Sequence, residues 1–153
     1  MTQYDPFCVK EDTERTIFYE TEHFRVLYDI RPVVTGHSLL VPKRHIIDIR
    51  ERNNDELKDF YSVLHHVIPR LLKIYESTEN SYDLTSQIGP YSGRTVPHLH
   101  IHFLPRKSGD KYQRPDANIF NDIKMNKSNA TYGEVQTQVE RLRKEFKYKQ
   151  QTK

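Results

Sequence analysis

At 153 residues and 18.3 kDa the chain has material for one real core, and with 35% hydrophobic and 29% charged residues it reads as a soluble globular protein. No apolar run nears the roughly 18 residues of a membrane span, which argues against a membrane partner, and a single cysteine, Cys8, excludes an internal disulfide framework. The formal charge of +3 sits at the C-terminal end, where Glu140 to Lys153 hold six Lys/Arg against two Glu; a basic tail on a near-neutral body reads as a solvated helix end, with no nucleic-acid partner expected. The opening MTQYDPFCVKEDTER lacks the apolar stretch of a signal peptide, so a cytoplasmic protein is expected.

The first third alternates apolar and polar residues. Strands are expected at 16–20 (TIFYE), 23–28 (HFRVLY) and 37–42 (HSLLVP), with Arg31–Gly36 as a loop. Leu57, Phe60, Tyr61, Leu64, Ile68, Leu71 and Tyr75 then recur at helical spacing, and Asn53 with Glu56 forms the capping box of that long helix. Pro69, inside the pattern, is expected to kink it or weaken its second half. Two more strands are expected near 81–87 (SYDLTSQ) and 98–105 (HLHIHFLP), joined by the glycine-containing loop Ile88–Pro97. Lys107–Asn129 is polar and aperiodic and reads as a long surface loop, and Val135, Val139, Leu142 and Phe146 mark a last helix. Together these make an α+β chain with a mostly antiparallel sheet, divided into a catalytic body over 1–125 and a C-terminal helix with basic tail over 126–153.

The chemistry-bearing segment is His98-Leu99-His100-Ile101-His102-Phe103. Successive strand side chains point to opposite faces, so the histidines share one face and Leu99, Ile101 and Phe103 the other. The apolar face can pack on a core, which leaves the histidine face to meet solvent or line a pocket. Two chemistries suit such a row: ligation of a metal by neutral imidazoles, or attack on phosphorus by one imidazole while its neighbours donate hydrogen bonds. The upstream loop favours the second, because Gly89 and Gly93 allow close backbone approach and Arg94 and Thr95 add a cation and a hydroxyl.

Loop and strand together, GPYSGRTVPHLHIHFLPR, resemble the signature of the histidine triad (HIT) superfamily, His-φ-His-φ-His-φ-φ with φ apolar, and His98 to Leu104 match every position. The resemblance extends through YDIRPVVTGHSLLVPKRH and SQIGPYSGR, and RPVVTGH and LPRKSGD are most similar to the fragile-histidine-triad branch of dinucleoside polyphosphate hydrolases. It implies a HIT-like fold that pairs through a helix and an edge strand into a homodimer, with Tyr61 and Tyr75 serving core and dimer surface. It implies a nucleotide substrate, with His100 as the nucleophile that forms a nucleotidyl-histidine which water then hydrolyses. His102 would bond the α-phosphate, His98 would orient the row, and His37 is the fourth histidine. Asp29 takes the ribose position, while Gln87 and the stretch Gly93, Arg94, Thr95 and Val96 take the phosphates and leaving group. No cofactor is required for the chemistry, with Mg²⁺ at most on the substrate.

Asp29, where the favoured branch has Asn, is more like the phosphoramidase-like branch, and Arg94 replaces a common Gln. Some members of the superfamily hold a structural zinc, and the matching positions here are Asp5, Cys8, His45 and His98, with one thiolate lost; the alternative is a zinc-free fold with a buried free Cys8. The rival functions are a phosphorylase or nucleoside phosphoramidase on the same intermediate, a nucleotide-binding sensor with incidental turnover, and a metal-binding module using the triad as ligands. His23, His65 and His66 have no pattern of their own.

Overall fold

The computed structural model describes residues 4–149. A short helix α1 (Lys10–Glu14) leads into strands β1 (Ile17–Glu20), β2 (Phe24–Tyr28) and β3 (Ser38–Pro42), then the long helix α2 (Asn54–Ile74). Strands β4 (Tyr82–Thr85) and β5 (Ile101–Pro105) follow, and helices α3 (Ile119–Lys124) and α4 (Tyr132–Glu145) end the described chain. The strands form one five-stranded antiparallel sheet in the order β1-β2-β3-β5-β4, as the alternation in the sequence requires of an α+β fold.

Period-two alternation gives the sheet two different faces. Phe24, Val26, Tyr28, Leu40, Ile101 and Phe103 point one way and share a core with the buried stripes of α2 and α4. Ile17, Leu27, Leu39 and Val41 point the other way and form a smaller cluster, on the face where the functional side chains gather. Helix α4 thus belongs to the main core through Val135, Val139 and Leu142. Its basic end is not wholly solvated, since Arg143 donates to the carbonyls of Ile17 and Glu14.

Helix α2 begins with the expected capping box: Asn53 accepts from the Glu56 N–H, and Glu56 accepts from the Asn53 N–H. Glu56 is buried, and Arg44 neutralises it through two hydrogen bonds of 2.7 and 2.8 Å. The helix runs unbroken through Pro69. Pro69 is exposed, so its ring and the carbonyl it cannot bond both fall on the wet side. Leu57 and Tyr61 lie outside the core, 41% and 69% exposed, because the buried stripe is Phe60, Val63, Val67 and Leu71. His65 and His66 are exposed on the same helix. No described helix is long and apolar enough to cross a membrane.

Two expectations, one about a loop and one about a strand, are corrected. Lys107–Asn129 is not one loop: it holds a turn of 3₁₀ helix at Lys111–Gln113 and the helix α3. Tyr112 and Ile119 are buried there with Val33 and Leu104, and the Asn118 side chain caps α3 by accepting from the Asn121 N–H. The last triad strand is also shorter than its sequence pattern. Pairing starts at Ile101, and upstream of it the Leu99 N–H leaves the ladder and donates to the Ile46 carbonyl at 2.6 Å.

The loop between β2 and β3 is held by Gly36, whose φ is +95°. Its N–H donates to the Tyr28 hydroxyl, and its carbonyl accepts from the Ser38 hydroxyl. A Cβ at this position would stand 2.6 Å from Pro105 Cγ and 2.7 Å from Tyr75 Cδ2, so only glycine lets the chain pass this close to the sheet. The next residue is His37.

Candidate active site

The register of β3 on β5 sets Leu39 opposite His102. His37, two residues before Leu39, shares its face and stands diagonally beside His102. The two imidazoles meet at 2.8 Å, His37 Nε2 to His102 Nδ1. The His100 and His102 rings lie 5.1 Å apart in an edge-on arrangement. None of the triad histidines meets bulk solvent as an open face would: His98, His100 and His102 are only 0%, 7% and 5% exposed. Phe7 supplies part of the cover, packing on both His98 and His100 at 5.6 and 5.3 Å.

The hydrogen bonds assign the protons. His100 Nδ1 lies 2.8 Å from the His98 carbonyl oxygen, which can only accept, so Nδ1 carries the proton and Nε2 is left with a lone pair. His37 Nδ1 accepts from the Val33 N–H at 3.2 Å, so His37 Nε2 carries its proton and donates to His102 Nδ1. His102 is then protonated at Nε2. Adjacent rings therefore present opposite polarity, a lone pair on His100 and an N–H on His102. Burial pushes the pKa values of His37 and His100 down and that of His102 down to about 2, so all three rings are neutral near pH 7.

His37, His100 and His102 line a cavity of about 720 Å³. Of the other expected substrate contacts, Asp29, Gln87, Gly93, Thr95 and Val96 also line it. Asp29 accepts from the Arg31 N–H at 2.7 Å, and its other oxygen lies 3.3 Å from His37 Nε2. Arg94 is not part of the lining; its nearby charge acts, behind burial, to keep His100 unprotonated. His98 is absent from the lining as well. The chain leaves the strand ladder at this point, and His98 turns toward the N-terminal segment.

There His98 donates from Nε2 to the Pro42 carbonyl at 2.8 Å, and its Nδ1 lies 2.8 Å from Asp5 Oδ2. His45 Nδ1 lies 2.7 Å from the same carboxylate oxygen, and Cys8 Sγ is 3.6 Å from both imidazoles. Four donor atoms thus converge within 4.8 Å of one another. Zinc in a tetrahedral site separates its ligands by about 3.3–3.6 Å, so the sulfur spacing already fits, while the two imidazoles stand at hydrogen-bond distance from the carboxylate. Cys8 is exposed, not buried. Asp29, His37 and His102 make a second group of potential donors, but there the lone pair of His102 Nδ1 is already taken by the His37 N–H. Among the described residues His100 belongs to neither group.

The same geometry exposes what the sequence reading missed. Ser86 donates from its hydroxyl to the His100 carbonyl at 2.7 Å and so anchors the backbone of that residue. Tyr28 and Phe7 line the cavity from one side, and Lys124, Tyr132 and Gln136 line it from the C-terminal segment. Nothing in their spacing marked these residues.

Residues 10–109 match the HIT domain. The chain belongs to the HIT family. This HIT protein is 39% identical over 109 residues, 71% of its length and 23% of the relative's, to the nitrilase and fragile histidine triad fusion protein NitFhit of Drosophila melanogaster. It is 29% identical to the bis(5'-adenosyl)-triphosphatase of Dictyostelium discoideum, covering 95% of this chain and 93% of that one. The crystal structure of Caenorhabditis elegans NitFhit superposes with a TM-score of 0.67 at 29% identity, over 85% of this chain and 27% of that chain. The HIT protein spans under a quarter of the length of the fusion proteins and about half that of several other curated relatives.

Proposed function

We propose that this HIT protein hydrolyses dinucleoside polyphosphates at the α-phosphate through a nucleotidyl-histidine at His100. The observation that carries the reading is the proton assignment, which leaves His100 Nε2 as a neutral nucleophile beside an N–H donor on His102. Attack by Nε2 forms a P–N bond and breaks the bond from Pα to the bridging oxygen. The leaving nucleotide departs as a stable phosphate anion. His102 Nε2–H donates to a non-bridging oxygen as charge builds on it, and its neutral, buried ring needs no reorganisation to do so. Water then attacks the same phosphorus and gives up a proton to solvent, the P–N bond breaks, and His100 recovers its lone pair. Asp29 accepts from the ribose hydroxyls, Gln87, Gly93, Thr95 and Val96 hold the phosphates, and Mg²⁺ enters only with the polyphosphate. The names of full-length relatives such as the Dictyostelium triphosphatase support this substrate class.

Product analysis in ¹⁸O-water, with diadenosine triphosphate, diadenosine tetraphosphate and an adenosine phosphoramidate side by side, tests the proposal. AMP carrying one ¹⁸O, together with unlabelled ADP or ATP, is the expected result. A preference for the phosphoramidate, to which Asp29 points, would replace the hydrolase reading by a phosphoramidase. Products formed only with added inorganic phosphate would make it a phosphorylase, and tight binding without turnover a sensor.

The same reading includes a structural zinc and a homodimer in the cytoplasm. Asp5, Cys8, His45 and His98 are the zinc ligands, and the metal's role is to fix the His98 backbone, whose carbonyl orients His100. The dimer covers the exposed Leu57 and Tyr61 of α2 and the edge strand β4, where Tyr82 and Leu84 are 45% and 40% exposed. Native mass spectrometry reads both features at once: the expected species has twice the chain mass and one zinc per chain. A bare chain mass would remove the dimer, and metal-free protein with unchanged stability would remove the zinc.

A further inference from the structure

Beyond residue 109 the chain leaves the HIT domain match, yet the C-terminal segment supplies one wall of the cavity. Lys124, the last residue of α3, stands out on that wall. Its ammonium passes over Gly93, with Nζ only 2.7 Å from where a Cβ on that residue would stand. Gly93, at φ +84°, carries no side chain, and the Lys124 stem fills the space a Cβ would take. Asp122, one helix step away, is engaged by Lys111 at 3.1 Å and Lys127 at 3.7 Å. Lys124 itself has no ion pair among the described residues, so its charge is left over for something in the cavity. Arg94, the cation the sequence places in this loop, does not line the cavity.

A long, flexible ammonium suits a chain of phosphate oxygens as a point charge, without the fixed bidentate geometry of arginine. Its place relative to the triad decides which phosphate. The α-phosphorus must sit against His100 and His102, whereas Lys124 stands over the loop upstream of them. We infer that Lys124 is the cation that holds the phosphates beyond the α position, which makes it the residue that favours polyphosphates over mononucleotides. This rests on the nucleotide reading of the cavity and deepens it.

The test separates binding from turnover. Titration calorimetry of wild type, Lys124→Met and Lys124→Arg with AMP and with ATP measures how much affinity the outer phosphates add. In the wild type ATP is expected to bind more tightly than AMP; in Lys124→Met that gain should shrink by about tenfold while AMP affinity holds, and Lys124→Arg should restore most of it. Lys124 is exposed, so the variants should keep the wild-type melting temperature, and circular dichroism checks this. An equal ATP-over-AMP gain in Lys124→Met and wild type overturns the inference, as does a wild type that binds ATP no better than AMP. Failure of the hydrolase reading shows separately, as wild-type protein that binds these nucleotides and cleaves no dinucleoside polyphosphate.

Discussion

His100→Asn is expected to keep its fold and bind nucleotide while turning over roughly four or more orders of magnitude more slowly. Asparagine retains an N–H that can reach the His98 carbonyl, so the main local cost is a small gap beside Phe7. It has no nitrogen lone pair to offer phosphorus, so the covalent route is lost outright. His102 keeps its N–H toward the phosphate, because the His37 N–H still occupies His102 Nδ1 and so holds the tautomer. Rapid mixing with labelled diadenosine triphosphate and an alkaline quench, under which P–N bonds survive, should trap nucleotide on wild-type protein and none on the variant. Turnover near the wild-type rate in His100→Asn would rule out the nucleophile.

Gly36→Ala should be the most damaging of the small substitutions. The new methyl meets Pro105 and Tyr75, both buried, and neither can swing into solvent. A positive φ costs an L-residue about 1–2 kcal/mol and overpacking about 1–3 more, so a loss of roughly 3–4 kcal/mol is expected. For a chain of this size that lowers the melting temperature by roughly 10 °C. Gly109→Ala is the control, since Gly109 has a similar φ of +81° and nothing within 4 Å. It should show the backbone part alone. Denaturant titration of both variants isolates the steric part, and equal losses would show that the close approach at Gly36 carries no weight. Because His37 follows directly, the activity of the folded Gly36→Ala protein should also fall.

The sheet was legible because its strands alternate cleanly, and α2 because its capping box and apolar spacing agree. The faces of α2 were harder, since Leu57 and Tyr61 fit a helical period as well as Phe60 and Val63 do. Only the packed sheet decides which stripe is buried. Helix α3 was illegible for a related reason: Ile119 and Ile123 give too few apolar positions to show a period. The triad announced itself in sequence, but the alternation implied that His98 shares a pocket with His100. A chain that leaves its ladder at Leu99 breaks that inference, and the departure depends on a carbonyl far away in sequence, that of Ile46. Lys124 escaped notice because proximity to Gly93 is created by the fold alone.

The two protonation states of the site are inherited by different routes. His100 takes its tautomer from a main-chain carbonyl, which every residue at position 98 would supply as long as the backbone path is kept. His102 takes its tautomer from the side chain of His37, which a single substitution can delete. The nucleophile is thus written into the course of the chain, and the side chain at position 98 serves it only by holding that course. The proton donor is written into one codon, and drift at that position would disarm it first.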